Sequence, residues 1–201
     1  MSSKSERTRQ FIIEQAAPIF NKKGIAGTAI SDIMEVTQLA KGGIYGNFDS
    51  KEEITKEVCN YLVKRRGAQL SNALAQNGRG GPTATGRLFS LLDFMKEDLL
   101  DNFGGCPIIS LGAEADDTDT DPGIRKRLTE AIAYCQSIIR AVVQQGIDAG
   151  EFDPSVDAEL FAIKAFALLE GAALFGRIQG NDSQMAKIIG VLRTEIRAWK
   201  K

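Results

Sequence analysis

The chain of 201 residues contains no histidine. Histidine is the usual general base of serine and cysteine hydrolases, the commonest metal ligand, and the side chain that titrates near neutral pH. Its absence excludes triad-type catalysis and histidine metal sites together. The sequence therefore predicts no bound metal, no cofactor and no enzyme of these common classes.

Cysteine is scarce as well, and Cys59, Cys106 and Cys135 lie far apart in the sequence. A disulfide framework or a zinc site needs closely spaced pairs, so three thiols in a reducing compartment are expected. No apolar run is long enough to span a bilayer, and the first ten residues lack the apolar segment of an export signal. These absences predict a cytoplasmic protein that makes no membrane contact.

Charge is nearly balanced, with a net value of −1 for the whole chain. Residues 1–51 carry seven basic and five acidic side chains, a net of +2, which leaves −3 for the remainder. A mildly basic head on an acidic body permits phosphate contact by the head alone.

One acidic run resembles the start of a calcium-binding loop. It contains Asp117, Asp119 and Asp121, but Gly123 falls one position late and Leu128 stands where the bidentate glutamate is required. A solvated loop followed by a helix cap explains these acids, so no calcium site is predicted.

Apolar residues recur at helical spacing almost throughout, and no useful strand-like alternation is found. The sequence predicts an all-α fold of about nine helices, with caps at Thr28, Ser50, Asp121 and Asp153. The first three helices form a small N-terminal domain over residues 1–50, and residues 51–201 form a larger helical domain.

The second and third helices are short and are joined by a break at residues 37–39, which is typical of a helix-turn-helix. Gly42 and Gly43 are costly in a helix, and close approach to the floor of the major groove is one reason to have them. The candidate DNA-contacting residues are Thr28, Ser31, Lys41, Gly42, Gly43, Tyr45, Asn47 and Lys51.

Residues 24–51, GIAGTAISDIMEVTQLAKGGIYGNFDSK, resemble the DNA-binding domain of the TetR family. The matching features are a Gly before Thr28, an Ile in the second helix, Lys-Gly at the start of the third, and then Tyr, Phe, Ser and Lys in the family's order. The sequence departs from the pattern at Thr37-Gln38, where Ala-Gly is usual. The resemblance implies a DNA-binding regulator whose partner is double-stranded operator DNA.

The last two predicted helices carry broad apolar faces. In the TetR family this pair forms a four-helix bundle with a second copy, so the resemblance implies a homodimer here. A purely internal core is the alternative. The candidate dimerisation residues are Phe161, Ala165, Leu168, Ala172, Phe175, Ile189, Leu192 and Ile196.

The middle helices enclose an effector pocket in the TetR family. An apolar lining favours a hydrophobic or aromatic small molecule, although each lining residue taken singly is also an ordinary core residue. The candidate ligand-binding residues are Leu88, Leu92, Met95, Cys106, Ile108, Leu111, Ile138, Phe166 and Arg177.

Cys106 follows a Gly-Gly pair and precedes a short apolar helix that ends in Ala-Glu. This Gly-Cys resembles a TetR branch that includes regulators of electrophile and oxidant stress. A thiol at a helix N-terminus has a lowered pKa, so Cys106 is a candidate sensor, with Arg177 as a cationic partner. A buried structural cysteine is the alternative.

The function expected from these patterns is that of a repressor. A small apolar effector, or modification of Cys106, would release it from a palindromic operator. Two other classes stay open at this point: an enzyme that uses Cys106 on electrophiles, and a helical interaction module that has lost DNA binding.

Overall fold

The computed structural model describes residues 3–75, 82–98, 105–114 and 121–200. Within these residues the chain forms nine helices and no strand, which confirms the predicted all-α fold; a single isolated bridge pairs Phe152 with Lys200. The helices are α1 (Lys4–Lys23), α2 (Ile30–Thr37), α3 (Lys41–Tyr45), α4 (Lys51–Ala75), α5 (Ala84–Asp98), α6 (Pro107–Gly112), α7 (Pro122–Asp148), α8 (Ala158–Gln179) and α9 (Ser183–Ala198).

The chain divides into two compact units. The first comprises Met1–Arg66 with Asn102–Ala131, and the second comprises Gly67–Asp101 with Ile132–Lys201. Both α4 and α7 contribute to both units. The predicted functional boundary at residue 50 stays a prediction, because it concerns which residues bind DNA rather than which residues pack together.

Helix α1 begins and ends through local signals. Ser3 and Glu6 form a capping box at its start, and Gly24 ends it at φ +78° with its N–H bonded to the Phe20 carbonyl. Its buried face contributes Ile12 and Phe20 to the apolar core of the first unit. That core also contains the buried residues Ile33, Ile44, Phe48, Ile54, Val58, Leu62 and Leu111.

The turn between α2 and α3 shows how Gln38 replaces the glycine that is usual in the TetR pattern. Gln38 adopts the left-handed conformation at φ 56° and is the one non-glycine with positive φ among the described residues. A left-handed residue is the usual way to end one helix and redirect the chain into the next. Gln38 therefore takes the position at which the TetR pattern has glycine.

Two of the four predicted helix caps are wrong. Thr28 does not cap α2, because its hydroxyl donates to the Gly24 carbonyl at 2.6 Å, and the Asp32 carboxylate accepts the Ala29 N–H instead. Asp153 does not cap α8, because its carboxylate accepts the Ser155 N–H in a turn, and the helix begins later, at Ala158, with Asp157 as its cap. At α8 the cap bond is made by Asp157, which accepts the Leu160 N–H, whereas at α2 no side chain caps the helix from the N-cap position, Ala29.

The other two caps are confirmed. Ser50 Oγ accepts the Glu53 N–H at 3.2 Å at the start of α4, although the Glu53 carboxylate bonds the Asp49 N–H instead of completing a capping box. Asp121 Oδ1 accepts the Gly123 N–H at 2.6 Å, and Pro122 begins α7. Asp121 also pairs with Lys56 at 2.6 Å, whereas Asp117 and Asp119 lie outside the described residues.

The second unit is organised around α5, α8 and α9. Trp199 stands edge-on to the rings of both Phe152 and Phe161, with centroids 5.3 and 4.5 Å away. The Glu151 carboxylate accepts the N–H groups of Ala84 and Thr85, which caps the start of α5. Burial alone would raise the pKa of Glu151, but the bond from the Thr85 hydroxyl, and then those from the N–H groups of Thr85 and Ala84, outweigh it and hold the pKa below its usual range.

In the part of the chain that the structure describes, no helix combines the length and the apolar character needed to cross a membrane.

Candidate nucleic-acid interface

Helix α3 packs into the core through its apolar side, and its other side is exposed. Ile44 and Phe48 are buried in the core beside Ile33 of α2, so the short helix is fixed in position. Lys41, Gly42, Gly43 and Tyr45 lie on its exposed surface. The side of α3 that faces away from the core therefore consists of the residues that the sequence assigned to DNA.

No contact within the chain requires glycine at either of the two glycine positions of α3. A Cβ added at Gly42 would meet nothing within 4 Å, and a Cβ at Gly43 would meet only the Leu39 side chain at an ordinary 3.6 Å. Neither residue has the positive φ that requires glycine. What glycine provides here is a smooth outer surface, on which the backbone can approach another molecule closely.

Lys41 and Tyr45 occupy neighbouring positions one turn apart on that surface. The Lys41 ammonium lies 5.9 Å from the centroid of the Tyr45 ring, and Tyr45 is 39% exposed. A cation and a phenol hydroxyl at this spacing are suited to phosphate oxygens or to a guanine edge. Ser31 of α2 is also exposed and remains a candidate contact.

Three other candidate contacts use their polar groups inside the chain. Asn47 Nδ2 donates to the Gly43 carbonyl at 2.8 Å, and Lys51 Nζ donates to the Ile25 carbonyl at 3.0 Å. Thr28 is 0% exposed. Its predicted phosphate contact is corrected, because its hydroxyl and its N–H both bond to carbonyls of the loop after α1.

Sequence reasoning missed Arg9, which fastens α1 to the end of α3. Its guanidinium donates to the Asn47 carbonyl at 2.5 Å and to the Glu53 carboxylate at 2.7 Å, and it covers the Phe48 ring at 4.2 Å. The pKa of Glu53 lies below its usual range because the Asp49 N–H, and then Arg9, bond its carboxylate. No local sequence signal identifies Arg9, because its partners are about 40 residues away in sequence.

Sequence reasoning also gave no role to Glu114, although it noted the Ala-Glu pair after α6. The Glu114 carboxylate accepts the N–H groups of Ile25 and Ala26, in the loop that joins α1 to α2. Glu114 therefore bonds directly to the loop that leads into the helix-turn-helix, although it lies almost 90 residues away in sequence.

The predicted ligand-binding residues fall in both compact units. Leu88, Leu92 and Met95 are buried on α5 of the second unit, where Ile138 of α7 is partly buried and Phe166 of α8 is buried. Cys106, Ile108 and Leu111 are buried in or beside α6 of the first unit. Arg177 is exposed in the last turn of α8. Their common role in ligand binding stays a prediction.

The predicted dimerisation residues are mostly internal to the protomer. Leu168 is partly buried and Phe175 is 50% exposed, but the others are buried, namely Phe161, Ala165, Ala172, Ile189, Leu192 and Ile196. The sequence analysis missed the exposed apolar residues of α8, which are Leu160, Ile163 and Ile178, and Val191 of α9. An apolar helix that is buried on one side and apolar on the other gives no amphipathic pattern, so the sequence did not distinguish its two faces.

The chain matches two family models. The first, described as bacterial regulatory proteins of the tetR family, covers residues 12–58 and therefore the whole helix-turn-helix. The second, described as the C-terminal domain of tetracyclin repressor-like proteins, covers residues 85–192, which is more than half of the chain.

Individual relatives agree with these matches. The transcriptional regulator TtgR of Pseudomonas putida is 28% identical over 167 residues, which cover 83% of this chain and 79% of that protein. A TetR family regulator from Cytophaga hutchinsonii has a solved structure with 35% identity and a TM-score of 0.88, over 100% of this chain and 98% of that one. A TetR regulator from Chloroflexus aurantiacus gives 35% identity and a TM-score of 0.87, over 96% of each chain.

The fold, the open face of α3 and the matches over both parts of the chain thus agree. Proteins of this kind regulate transcription and are not enzymes, which removes catalysis by Cys106 from consideration. The chain belongs to the TetR family and is a DNA-binding transcriptional regulator.

Proposed function

We propose that the protein is a cytoplasmic homodimeric repressor that binds a pseudo-palindromic operator and is released by a small apolar effector. The observation that carries this proposal is the exposed surface of α3. Gly42 and Gly43 leave this surface without side chains, although no contact within the chain requires glycine at either position. Lys41 and Tyr45 flank that surface with a cation and a hydroxyl.

Helix α3 is five residues long, so a single copy can contact only a few base pairs. Two copies related by a two-fold axis contact two half-sites about one helical turn apart, and the operator must then be pseudo-palindromic. A dimer is therefore part of the proposal rather than an addition to it.

The exposed apolar face of α8 supports self-association. Leu160, Ile163, Phe175 and Ile178 are between 42% and 74% exposed, and they recur at helical spacing along one side of α8. Gly171 lies on the same face, and a Cβ added there would meet nothing within 4 Å. Apolar side chains with a small residue between them suit close packing against a second helix. We propose that this face, extended by Val191 of α9, packs against its own copy.

We propose an effector-binding site because α5, α7 and α8 carry apolar residues that are candidates for its lining. An effector shifts the equilibrium only through a difference in its affinity for the DNA-binding and released conformations. The candidate lining in the second unit consists of Leu88, Leu92, Met95, Ile138 and Phe166. Its apolar character favours a hydrophobic or aromatic compound.

Modification of Cys106 is a second route to release. Cys106 is the N-cap of α6 and is 4% exposed, so a reagent reaches its sulfur only when the start of this helix opens. Treatment with N-ethylmaleimide tests the idea. Loss of DNA binding in the wild type but not in Cys106→Ser supports it, and full binding by the treated wild type rejects it.

The first experiment is a pull-down of sheared genomic DNA from the source organism with the purified protein, followed by sequencing. Enrichment of a few pseudo-palindromic sites is the expected result. Lys41→Ala should lose that enrichment, whereas Lys64→Ala, the same change at an exposed position of α4, should keep it. A folded wild-type dimer that enriches nothing, or whose DNA affinity ignores salt, would favour an interaction module, because phosphate contacts weaken as salt rises.

A further inference from the structure

Helix α6 is bonded at both ends to the C-terminal end of α1 and the loop that follows. On one side Asn21 Nδ2 donates to the Gly105 carbonyl at 2.8 Å. On the other side Glu114 Oε1 accepts the Ile25 N–H at 2.8 Å and Oε2 accepts the Ala26 N–H at 2.7 Å. These bonds, here called the α6 clamp, join residues that are more than 80 positions apart in sequence.

The loop is shaped around the Glu114 carboxylate. Gly24 has φ +78°, and a Cβ added there would come within 1.8 Å of Glu114 Oε1. Glycine at this position therefore serves both the left-handed backbone and the approach of the carboxylate. Asn21 is 1% exposed, so the bond at the other end of α6 is shielded from water.

The same loop fixes the start of the helix-turn-helix. The Gly24 carbonyl accepts the Thr28 hydroxyl, and the Ile25 carbonyl accepts the Lys51 ammonium from the start of α4. With Glu114 on the N–H groups of Ile25 and Ala26, the loop backbone is bonded both from α4 and from the segment that follows α6. This loop leads directly into α2, which Gln38 in turn connects to α3.

Helix α6 has only six residues, too few to be stable without tertiary contacts. Its place is set by its buried residues and by the clamp. A shift of α6 therefore cannot occur without breaking the Glu114 bonds or moving the loop.

We propose that Glu114 and Asn21 are positioning residues that make the geometry of the DNA-binding helices depend on the position of α6. This inference rests on the proposed ligand-responsive DNA binding and names a route for it within the first unit. Breaking the clamp by substitution mimics the released state, because fewer molecules then hold the geometry that binds the operator.

The test compares Glu114→Gln with the wild type. The amide is isosteric, but its NH₂ group faces a backbone N–H and cannot accept a bond from it. The first readout needs no DNA: amide hydrogen exchange at Ile25 and Ala26 should become faster in the variant, while exchange in the core of α1 stays unchanged. Unchanged exchange at both amides would overturn the clamp.

The second readout is affinity for the sites enriched in the pull-down. Glu114→Gln should bind at least about tenfold more weakly because the binding-competent fraction falls. The salt slope should stay unchanged, because no phosphate contact is removed. Glu130→Gln, the same charge change on an exposed residue of α7, is the matched control. Loss of a negative charge should leave its DNA affinity equal or higher, so weaker binding in Glu114→Gln alone cannot arise from charge.

Asn21→Asp removes the donor at the other end of α6 and should also weaken binding, with the Gly105 carbonyl as the lost partner. If the wild type binds its sites and both variants bind within twofold of it, the positioning role is wrong and the proposed function stands. If the wild type binds no site, the proposed function fails, and the exchange experiment still decides whether the clamp exists.

Discussion

The guanidinium of Arg9 lies over the ring of Phe48, 4.2 Å from its centroid, and donates to the carbonyl of the preceding residue. Phe48 is 1% exposed. A planar cation thus covers a buried aromatic ring at the point where α3 ends and α4 is about to begin. This arrangement ties α1 to the end of α3 through a side chain rather than through the connecting backbone.

Arg9→Ala should destabilise the first unit by about 1–3 kcal/mol, the usual cost of losing charge-assisted hydrogen bonds. Arg9→Lys should recover only part of this, because an ammonium cannot bond two acceptors in the planar fork of a guanidinium. Urea unfolding followed by circular dichroism measures the free energy. Arg7→Ala, on the exposed side of the same helix, is the control and should change little; equal losses for both variants would reject the role given to Arg9.

Acid should weaken the first unit through Glu53. The Asp49 N–H and then Arg9 lower the pKa of its carboxyl from the ordinary value of 4.5. A lowered pKa in the folded state stabilises the protein above the ordinary pKa, and this contribution disappears as the pH falls through the folded value. Urea unfolding at pH 7, 4.5 and 3 should therefore give a steeper fall in the wild type than in Glu53→Gln. Identical pH profiles for the two proteins would contradict this.

Gly42→Ala should separate stability from DNA binding. The added Cβ meets nothing within 4 Å, so the variant should gain about 0.5–1 kcal/mol from its better helix propensity. Operator affinity should fall at least about tenfold, or about 1.4 kcal/mol, because the methyl group lies on the proposed DNA-facing surface. Thermal unfolding and operator titration measure the two effects, and a non-operator duplex of equal length controls for phosphate binding. An unchanged operator affinity would remove Gly42 from the interface.

Ile178→Glu should convert the proposed dimer into a monomer. The side chain is 74% exposed in the protomer, so the protomer itself loses little, whereas a carboxylate would be buried unpaired between two copies. Sedimentation velocity measures the oligomeric state, and circular dichroism measures the fold. Ala133→Glu, at an exposed position of α7, is the matched control and should remain dimeric. A dimeric Ile178→Glu would exclude this part of α8 from the interface.

Features that depend on neighbours in sequence were predicted well. The nine helices of the described residues, the Ser50 cap and the Asp121-Pro122 start all follow from residues within a few positions of one another. The caps predicted at Thr28 and Asp153 were the local failures. A threonine before a helix can cap it or bond back four residues, and Thr28 makes the second of these bonds.

Features that depend on distant partners could not be predicted in the same way. Glu114 and Arg9 act on backbone groups 38 to 89 positions away, and no spacing rule connects residues at that distance. The exposed apolar residues of α8 were missed for another reason. Phe161 and Ile163 are equally apolar, yet one is buried and the other is exposed, so composition alone could not assign them to the core or to the surface.

The glycines within the helices differ in whether a contact inside the protomer requires them. Gly146 is explained inside the chain, because a Cβ there would strike the Phe152 ring at 2.3 Å. Gly42, Gly171 and Gly190 have open space where a Cβ would be. The single protomer gives up helix stability at these three positions without any compensating contact within itself. Selection for thermal stability of the isolated chain would therefore be expected to fill these positions first, at the expense of the contacts proposed for Gly42 with DNA and for Gly171 with a second copy.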